Sequence, residues 1–220
     1  MKIKIVTIIF DFDHTLFSAK KLYFALKESF LKLGVDENLF RETFEKSKGR
    51  GRDCKPEKQF KLIHKARPEI KIGKLKETFE KILKMAPKFL YNDVLSFLKK
   101  WSKKVDLILL SYGDKKFQME KIKASKIERY FDKIIVTKDI EKAKPFKKIL
   151  AYLFSNKLPQ RIIFVEDNPK ALLKIKNFFP QVITVRINRG EGKYSQEPDN
   201  PKIDFSIRNL KELEEILKCG

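Results

Sequence analysis

Five short runs rich in Ile, Val and Leu, at residues 3–10, 105–110, 133–136, 162–165 and 182–187, constrain this chain more than any other feature. Each is nearly unbroken by polar residues, so a strand formed there is buried on both faces, as in a parallel sheet. Between them lie amphipathic stretches at 92–103, 115–130, 145–156 and 169–178, long enough to serve as crossover helices. The alternation predicts an α/β, doubly wound parallel sheet. A surface loop is expected at 188–201, where Gly190, Gly192, Pro198 and Pro201 fall, and a last helix at 209–218.

One interval breaks the rhythm. Residues 18–87 hold no strand-like run, and helical patterns occupy 20–33, 37–46, 57–65 and 73–85. Gly34, the Gly49-Arg50-Gly51-Arg52 segment and Pro68 punctuate them as helix ends and loops do. The expected organisation is a core domain built from residues 1–16 and 88–220, with an all-helical cap inserted at 17–87 as a lid.

With 42% hydrophobic residues and 19 Phe in 220, the chain can bury enough apolar surface to offset its conformational entropy. Its 50 Lys and Arg against 29 Asp and Glu give a formal net charge of +21. Such a surface attracts polyanions, but the sequence has no zinc finger, RNP-like stretch or helix-turn-helix signature. The expectation is therefore no specific nucleic-acid partner, with most lysines solvated on helix faces and an anionic small substrate favoured over a cationic one. Cys54 and Cys219 form no Cys/His cluster and cannot supply a disulfide framework or a four-ligand zinc site. The apolar run at 3–10 is too short to span a bilayer and leads into Asp11 with no cleavage site, so no membrane span or signal peptide is read and a cytoplasmic location is expected.

The chemistry gathers where strands end. The first run stops at Asp11-Phe12-Asp13-His14-Thr15, two acids forced to the carboxyl rim of a buried strand, where ligands of open parallel sheets collect. A second acidic pair, Glu166-Asp167, ends the fourth run and is followed by Asn168-Pro169. Carboxylates converging there repel one another unless protonated or cation-bound, and oxygen-only donors favour a hard cation, most naturally Mg²⁺. Taken alone, each pair also reads as a helix N-terminal acid, which suits Asp167 and Asn168 and suits Asp11 poorly. Ser111 follows the second run, and its hydroxyl, with the backbone N–H groups of Tyr112 and Gly113, could hold an oxyanion. Lys144, before Pro145, is placed to neutralise phosphate and carboxylates. In the cap, Arg50 and Arg52 suit contact with an anionic leaving group, although a basic loop is more often solvated. His64 is read as structural, His14 has no partner legible in sequence, and Trp101 belongs to the core.

These four elements in this order, Asp11-Phe12-Asp13-His14-Thr15, Ser111, Lys144-Pro145 and Glu166-Asp167-Asn168, resemble the motifs of the haloacid dehalogenase-like hydrolase superfamily, most of whose members are phosphatases. The likeness covers nearly the whole core and resumes at Leu90-Tyr91-Asn92-Asp93-Val94 after the cap. It departs in the last motif, where Ala171 and Leu172 stand at places often held by a further Asp. The resemblance implies a Rossmann-like sheet of order 5-4-1-2-3 and a Mg²⁺ ion held by Asp11, the Asp13 carbonyl, and Asp167 or Glu166. It also implies hydrolysis of a small phosphate monoester through an aspartyl-phosphate on Asp11, with Asp13 as general acid and base. A sugar phosphate, phosphoglycolate or a nucleoside monophosphate is the expected kind of substrate, and a monomer or homodimer the expected assembly. Two alternatives stand beside this reading: a phosphomutase of the same family, and a basic nucleic-acid-binding protein with a vestigial site.

Overall fold

Residue 8, 9, 10 of the first strand point alternately into two separate cores, which explains why the run shows no polar alternation. Ile8 and Phe10 join one cluster of buried side chains and Ile9 the other; Leu107 and Leu109 against Ile108 and Leu110 repeat the division. The computed structural model describes residues 6–49, 53–155 and 161–218, the side chains of 144, 154 and 155 excepted. Its sheet comprises β1 (Val6–Phe10), β2 (Asp106–Tyr112), β3 (Lys133–Thr137), β4 (Arg161–Glu166), β5 (Ile183–Ile187) and β6 (Phe205–Ile207). All pairs are parallel, in the order β3-β2-β1-β4-β5-β6.

The expected 5-4-1-2-3 order is contained in this sheet, and β6 extends it by one strand. A three-residue edge strand with two exposed positions carries too little periodicity to be legible in sequence.

In chain order the helices are α1 (Ala19–Leu31), α2 (Glu37–Ser47), α3 (Pro56–Ala66), α4 (Ile72–Leu83), α5 (Val94–Trp101), α6 (Lys115–Ala124), α7 (Ala143–Ser155), α8 (Pro169–Phe178) and α9 (Leu210–Lys218). Helices α7 and α8 cover one face of the sheet through Phe146, Ile149, Leu172 and Ile175. The other face is covered by α5, α6 and α9, and its cluster runs on without a break into the four helices of the insertion through Leu22, Phe40, Phe60 and Phe79. Phe79 of α4 meets Phe117 of α6 with ring centroids 5.7 Å apart.

The chain leaves the sheet and returns to it side by side. Phe17 pairs antiparallel with Leu90, and Ser18 N–H donates to the Phe89 carbonyl at 2.8 Å. Glu191, in the loop after β5, fastens this crossing: its carboxylate accepts from the Ser18 hydroxyl and the Tyr91 hydroxyl, each at 2.5 Å. The Arg189 guanidinium donates to the Thr15 carbonyl and to Asp93. The loop at 188–201 is therefore more than a surface connection, because its first residues are tied to the root of the insertion.

Candidate active site

Helix starts fix the strand ends at the carboxyl edge. Asp114 caps α6 by accepting from Phe117 N–H at 3.1 Å, and Asn168 caps α8 by accepting from Lys170 N–H at 3.0 Å with Pro169 in the first turn. Asn168, and not Asp167, is thus the capping residue. This leaves the residues just before each cap, Ser111 to Gly113 and Glu166 to Asp167, at the rim. Register places Phe10 beside Val165, so Asp11 comes next to Glu166, and Asp11 N–H donates to the Val165 carbonyl at 2.9 Å.

Asp11, Glu166 and Asp167 each present a carboxylate oxygen within 4.8 Å of the others. Asp11 and Glu166 are buried, and Asp167 is half-buried. Burial first, and the Glu166 charge second, push Asp11 up to about 7 against the opposing pull of Lys142. Asp167 is raised well above the usual carboxylate range by burial, then by Glu166 and Asp11. Three carboxylates against one ammonium among the described residues make an all-oxygen donor set that suits a hard divalent cation, and these three side chains could hold it.

The ammonium within this cluster is Lys142. Its Nζ lies 2.5 Å from Asp11 Oδ1 and donates also to Glu166 Oε2. Burial alone would lower its pKa, but the two carboxylates outweigh burial and raise it. A tight turn delivers it: Thr137 Oγ1 accepts from Asp139 N–H, Asp139 Oδ1 from Glu141 N–H, and the Asp139 carbonyl from Lys142 N–H. Lys142 adopts φ 59°, a left-handed conformation unusual for a side-chain-bearing residue, and its carbonyl accepts from Phe146 N–H in the first turn of α7. The Lys144 side chain lies outside the described residues, as do Arg50 and Arg52.

Asp13 stands apart from the carboxylate cluster. Its two oxygens lie 2.6 and 2.7 Å from Lys121 Nζ, and Gln118 Nε2 donates to one of them at 2.8 Å. Burial pushes the Asp13 carboxyl up, but Lys121 and Gln118 outweigh it and hold it below its ordinary value. Gln118 Nε2 also donates to the Tyr112 carbonyl at 2.5 Å. Gly113, at φ 141°, leaves room for that amide: a Cβ there would lie 2.8 Å from Gln118 Nε2. Gly113 N–H donates to the Thr137 carbonyl at 2.9 Å, which removes it from the expected oxyanion contact. Ser111 is 1% exposed, and its Oγ is buried with no hydrogen-bond partner among the described residues, a hydroxyl still free to donate.

Two cavities share Asp13, His14 and Tyr112. The first, about 160 Å³, is lined by Asp11, Lys142, Glu166 and Asp167, with Lys193 and Tyr194 from the loop after β5. The second, about 280 Å³, reaches under the insertion. Asp13 therefore stands at the boundary between an ionic cleft and a second chamber.

Lys142, Lys121, Gln118, Lys193 and Tyr194 escaped the sequence reading. Lys121 had a legible signal, since Phe117, Gln118, Lys121 and Ile122 form the buried stripe of α6. The Asp139 turn was the available signal for Lys142. His64 Nδ1 lies 3.0 Å from the Ile70 carbonyl, in keeping with a structural part. His14, at φ 60°, sits with Nδ1 3.6 Å from Glu191 and its ring against Gly192. Cys54 is pushed up to about 11 by burial, so its thiol stays protonated near neutral pH. No helix among the described residues is long and apolar enough to cross a membrane.

Comparison with known proteins accords with this architecture. No curated protein matches the sequence. Among solved structures, a protein from Burkholderia xenovorans provisionally described as a haloacid dehalogenase-like hydrolase superposes with a TM-score of 0.71 at 19% identity, covering 96% of this chain and 95% of its own. YfnB from Bacillus subtilis, provisionally described as a hydrolase of the same kind and solved bound to magnesium, has a TM-score of 0.59 at 19% identity over 97% and 99% of the two chains. A protein from Thermotoga maritima provisionally described as a β-phosphoglucomutase has a TM-score of 0.60 at 20% identity over 96% and 98%. These likenesses concern the fold. The family model for haloacid dehalogenase-like hydrolases matches residues 8–185, from β1 into β5 and across the ends of β1, β2 and β4 and the turn after β3 that carry the acids, Ser111 and Lys142, and the chain accordingly belongs to that family.

Proposed function

We propose that this chain is a Mg²⁺-dependent phosphatase that hydrolyses small phosphate monoesters through an aspartyl-phosphate on Asp11. The observation that carries the reading is the division of labour between Asp11 and Asp13. Asp11 lies in the ionic cleft among cationic and metal-binding groups, and Asp13 lies two residues on, where a leaving group would depart into the second cavity.

In the first half-reaction an Asp11 oxygen attacks phosphorus and the ester P–O bond breaks; Asp13, ionised beside Lys121 in the free protein, first takes a proton from the entering phosphate monoanion and passes it to the departing oxygen. In the second, water attacks phosphorus, Asp13 takes its proton, and the bond to Asp11 breaks to release inorganic phosphate. Lys121 favours the Asp13 carboxylate, the form needed to accept the proton of water. Lys142 and the free Ser111 hydroxyl supply positive charge and a donor for the phosphoryl oxygens. Bound Mg²⁺, held by Asp11, Asp167 or Glu166 and the Asp13 carbonyl, would offset the repulsion between the acids and an incoming phosphate dianion.

Dehalogenases also share this fold, but a halide leaves without a proton, and an acid at Asp13 serves a reaction whose leaving group needs one. The exposed lysines support a metabolite partner over nucleic acid, since several are already paired on their own helices, as in Lys46–Glu42, Lys74–Glu77 and Lys81–Glu77.

Phosphate release from acetyl phosphate, p-nitrophenyl phosphate and a panel of phosphorylated metabolites, with Mg²⁺ and with excess chelator, tests the reading. Metal-dependent release by the wild type that is lost in Asp11→Asn is the expected result. Release that survives in Asp11→Asn would overturn the assigned nucleophile, and no release from any compound would overturn the phosphatase reading.

A further inference from the structure

The second cavity, about 280 Å³, begins at Asp13 and extends under α1, α2 and α4 of the insertion, and its wall is mainly hydrocarbon: Leu22, Leu26, Tyr23, Phe44, Phe79 and Phe117. The charged groups of that wall are engaged with other parts of the protein. Asp13 is held by Lys121, Asp53 accepts from Lys138 at 3.0 Å, Lys48 lies 2.5 Å from Glu45, and Asp114 caps α6. Gln59 donates to the Phe40 carbonyl at 3.4 Å. The wall's buried polar atoms without a hydrogen-bond partner among the described residues, Gln118 Oε1 and His14 Nδ1, belong to residues beside Asp13. Among the described residues the unpaired buried polar atoms thus stand next to the ester, and most of the remaining wall is hydrocarbon.

We infer that the preferred substrate is a phosphate monoester of an apolar alcohol, aromatic or medium-chain aliphatic, whose hydrocarbon part fills this cavity, and not a sugar phosphate. The inference rests on the phosphatase reading and narrows it. The cavity is nearly twice the ~150 Å³ void that accepts a benzene molecule, so a substituted ring or a chain of six to eight carbons is the right order of size. A polyol placed there would exchange water for a wall that, among the described residues, is mostly hydrocarbon and whose charged groups already have partners, whereas each methylene gains from leaving water. Such a substrate differs from the sugar phosphate, phosphoglycolate or nucleoside monophosphate expected from the sequence.

Binding separates the inference from catalysis. Methyl-, butyl-, hexyl- and phenylphosphonate, which cannot be hydrolysed, are titrated calorimetrically into the wild-type protein with Mg²⁺, beside 5,6-dihydroxyhexylphosphonate. Affinity should rise about threefold to fourfold per added methylene up to hexyl, and the dihydroxyl compound should bind roughly tenfold or more weakly than hexyl. Ala19→Phe, at a half-exposed position in the first turn of α1 that lines the cavity, should flatten the chain-length dependence. An affinity that does not change with chain length, a dihydroxyl compound that binds as well as hexyl, or no binding by any phosphonate would overturn the inference; a variant that does not fold leaves the wild-type series to decide. Turnover of acetyl phosphate, too small to use the cavity, reports on the phosphatase reading by itself, so the two can fail separately.

Discussion

Lys121 Nζ bridges both carboxylate oxygens of Asp13, at 2.6 and 2.7 Å, from a position enclosed by the rings of Phe12, Phe17 and Phe117, each centred within 5.5 Å of the ammonium. An ammonium in that enclosure is stabilised by the ring faces and by Asp13 together. The pair joins α6 to the loop after β1 and sets the ionic state of the group assigned to proton transfer.

Removing the cation should expose that dependence. In Lys121→Met the Asp13 carboxylate keeps its burial and its Gln118 contact but loses its counter-charge, at a cost of about 2–3 kcal/mol at pH 7. In the wild type the folded-state pKa of Asp13 is depressed, so its contribution is complete above the ordinary value of 3.8 and is lost as pH falls through the lower folded value. Urea unfolding at pH 7 and at about pH 2.5, below the ordinary value, should therefore show a larger gap between wild type and variant at pH 7. Equal gaps at both pH values would contradict the assigned ion pair.

Lys142 and Lys144 make different predictions although two residues separate them. Lys142→Ala leaves Asp11 and Glu166 without the ammonium between them, so phosphate release should fall by ~10²–10³-fold and the Tm should drop. Lys144→Ala should stay within about threefold of wild type, because the cluster already has its cation. Initial rates and thermal unfolding of the two variants decide between them, and a larger loss in Lys144→Ala would return the role to that residue.

That pair also marks where sequence reading succeeded and where it ran out. Buried strands are written as nearly unbroken apolar runs because both faces lie under helices, and the acids could be placed at the rim because an eight-residue run, apolar but for Lys4 and Thr7, precedes Asp11. The helices of the insertion were legible for the related reason that their apolar stripes recur at helical spacing. Lys142 was not, because its place depends on a left-handed turn and a side-chain reach that linear spacing does not encode. Lys121 resembles the many solvated lysines until its neighbours on the buried stripe of α6 are considered, and β6 is three residues long.

Asp11→Asn should separate function from stability. Loss of the nucleophile should reduce turnover by about 10⁴-fold or more. Wild-type Asp11 has a raised folded-state pKa, about 7 against 3.8, so the folded chain holds a proton that the unfolded chain releases between those values, and its stability falls as pH rises through that window. Asn does not titrate. Measured in chelator, the Tm of the variant relative to wild type should therefore improve from pH 5 to pH 8, and a relative Tm that worsens over this range would contradict the crowding of the acids.

Asp204 allows a test of the fold away from the active site. Its Oδ2 accepts from Thr184 N–H, Thr184 Oγ1 and Lys176 Nζ, each at 2.8 Å, and so pins the approach to β6 against the start of β5. Burial pushes its carboxyl up, but the Lys176 and Thr184 contacts outweigh burial and leave it below 3.8. Asp204→Asn keeps the shape but loses the charge that strengthens these bonds, and should cost about 1–2 kcal/mol at pH 7. Because the folded-state pKa is depressed, the wild-type advantage is present above 3.8 and declines as pH falls through the folded value. Denaturant midpoints at pH 7 and pH 3 should converge at the lower pH, whereas a constant difference would mean that Asp204 acts through packing and not through its charge.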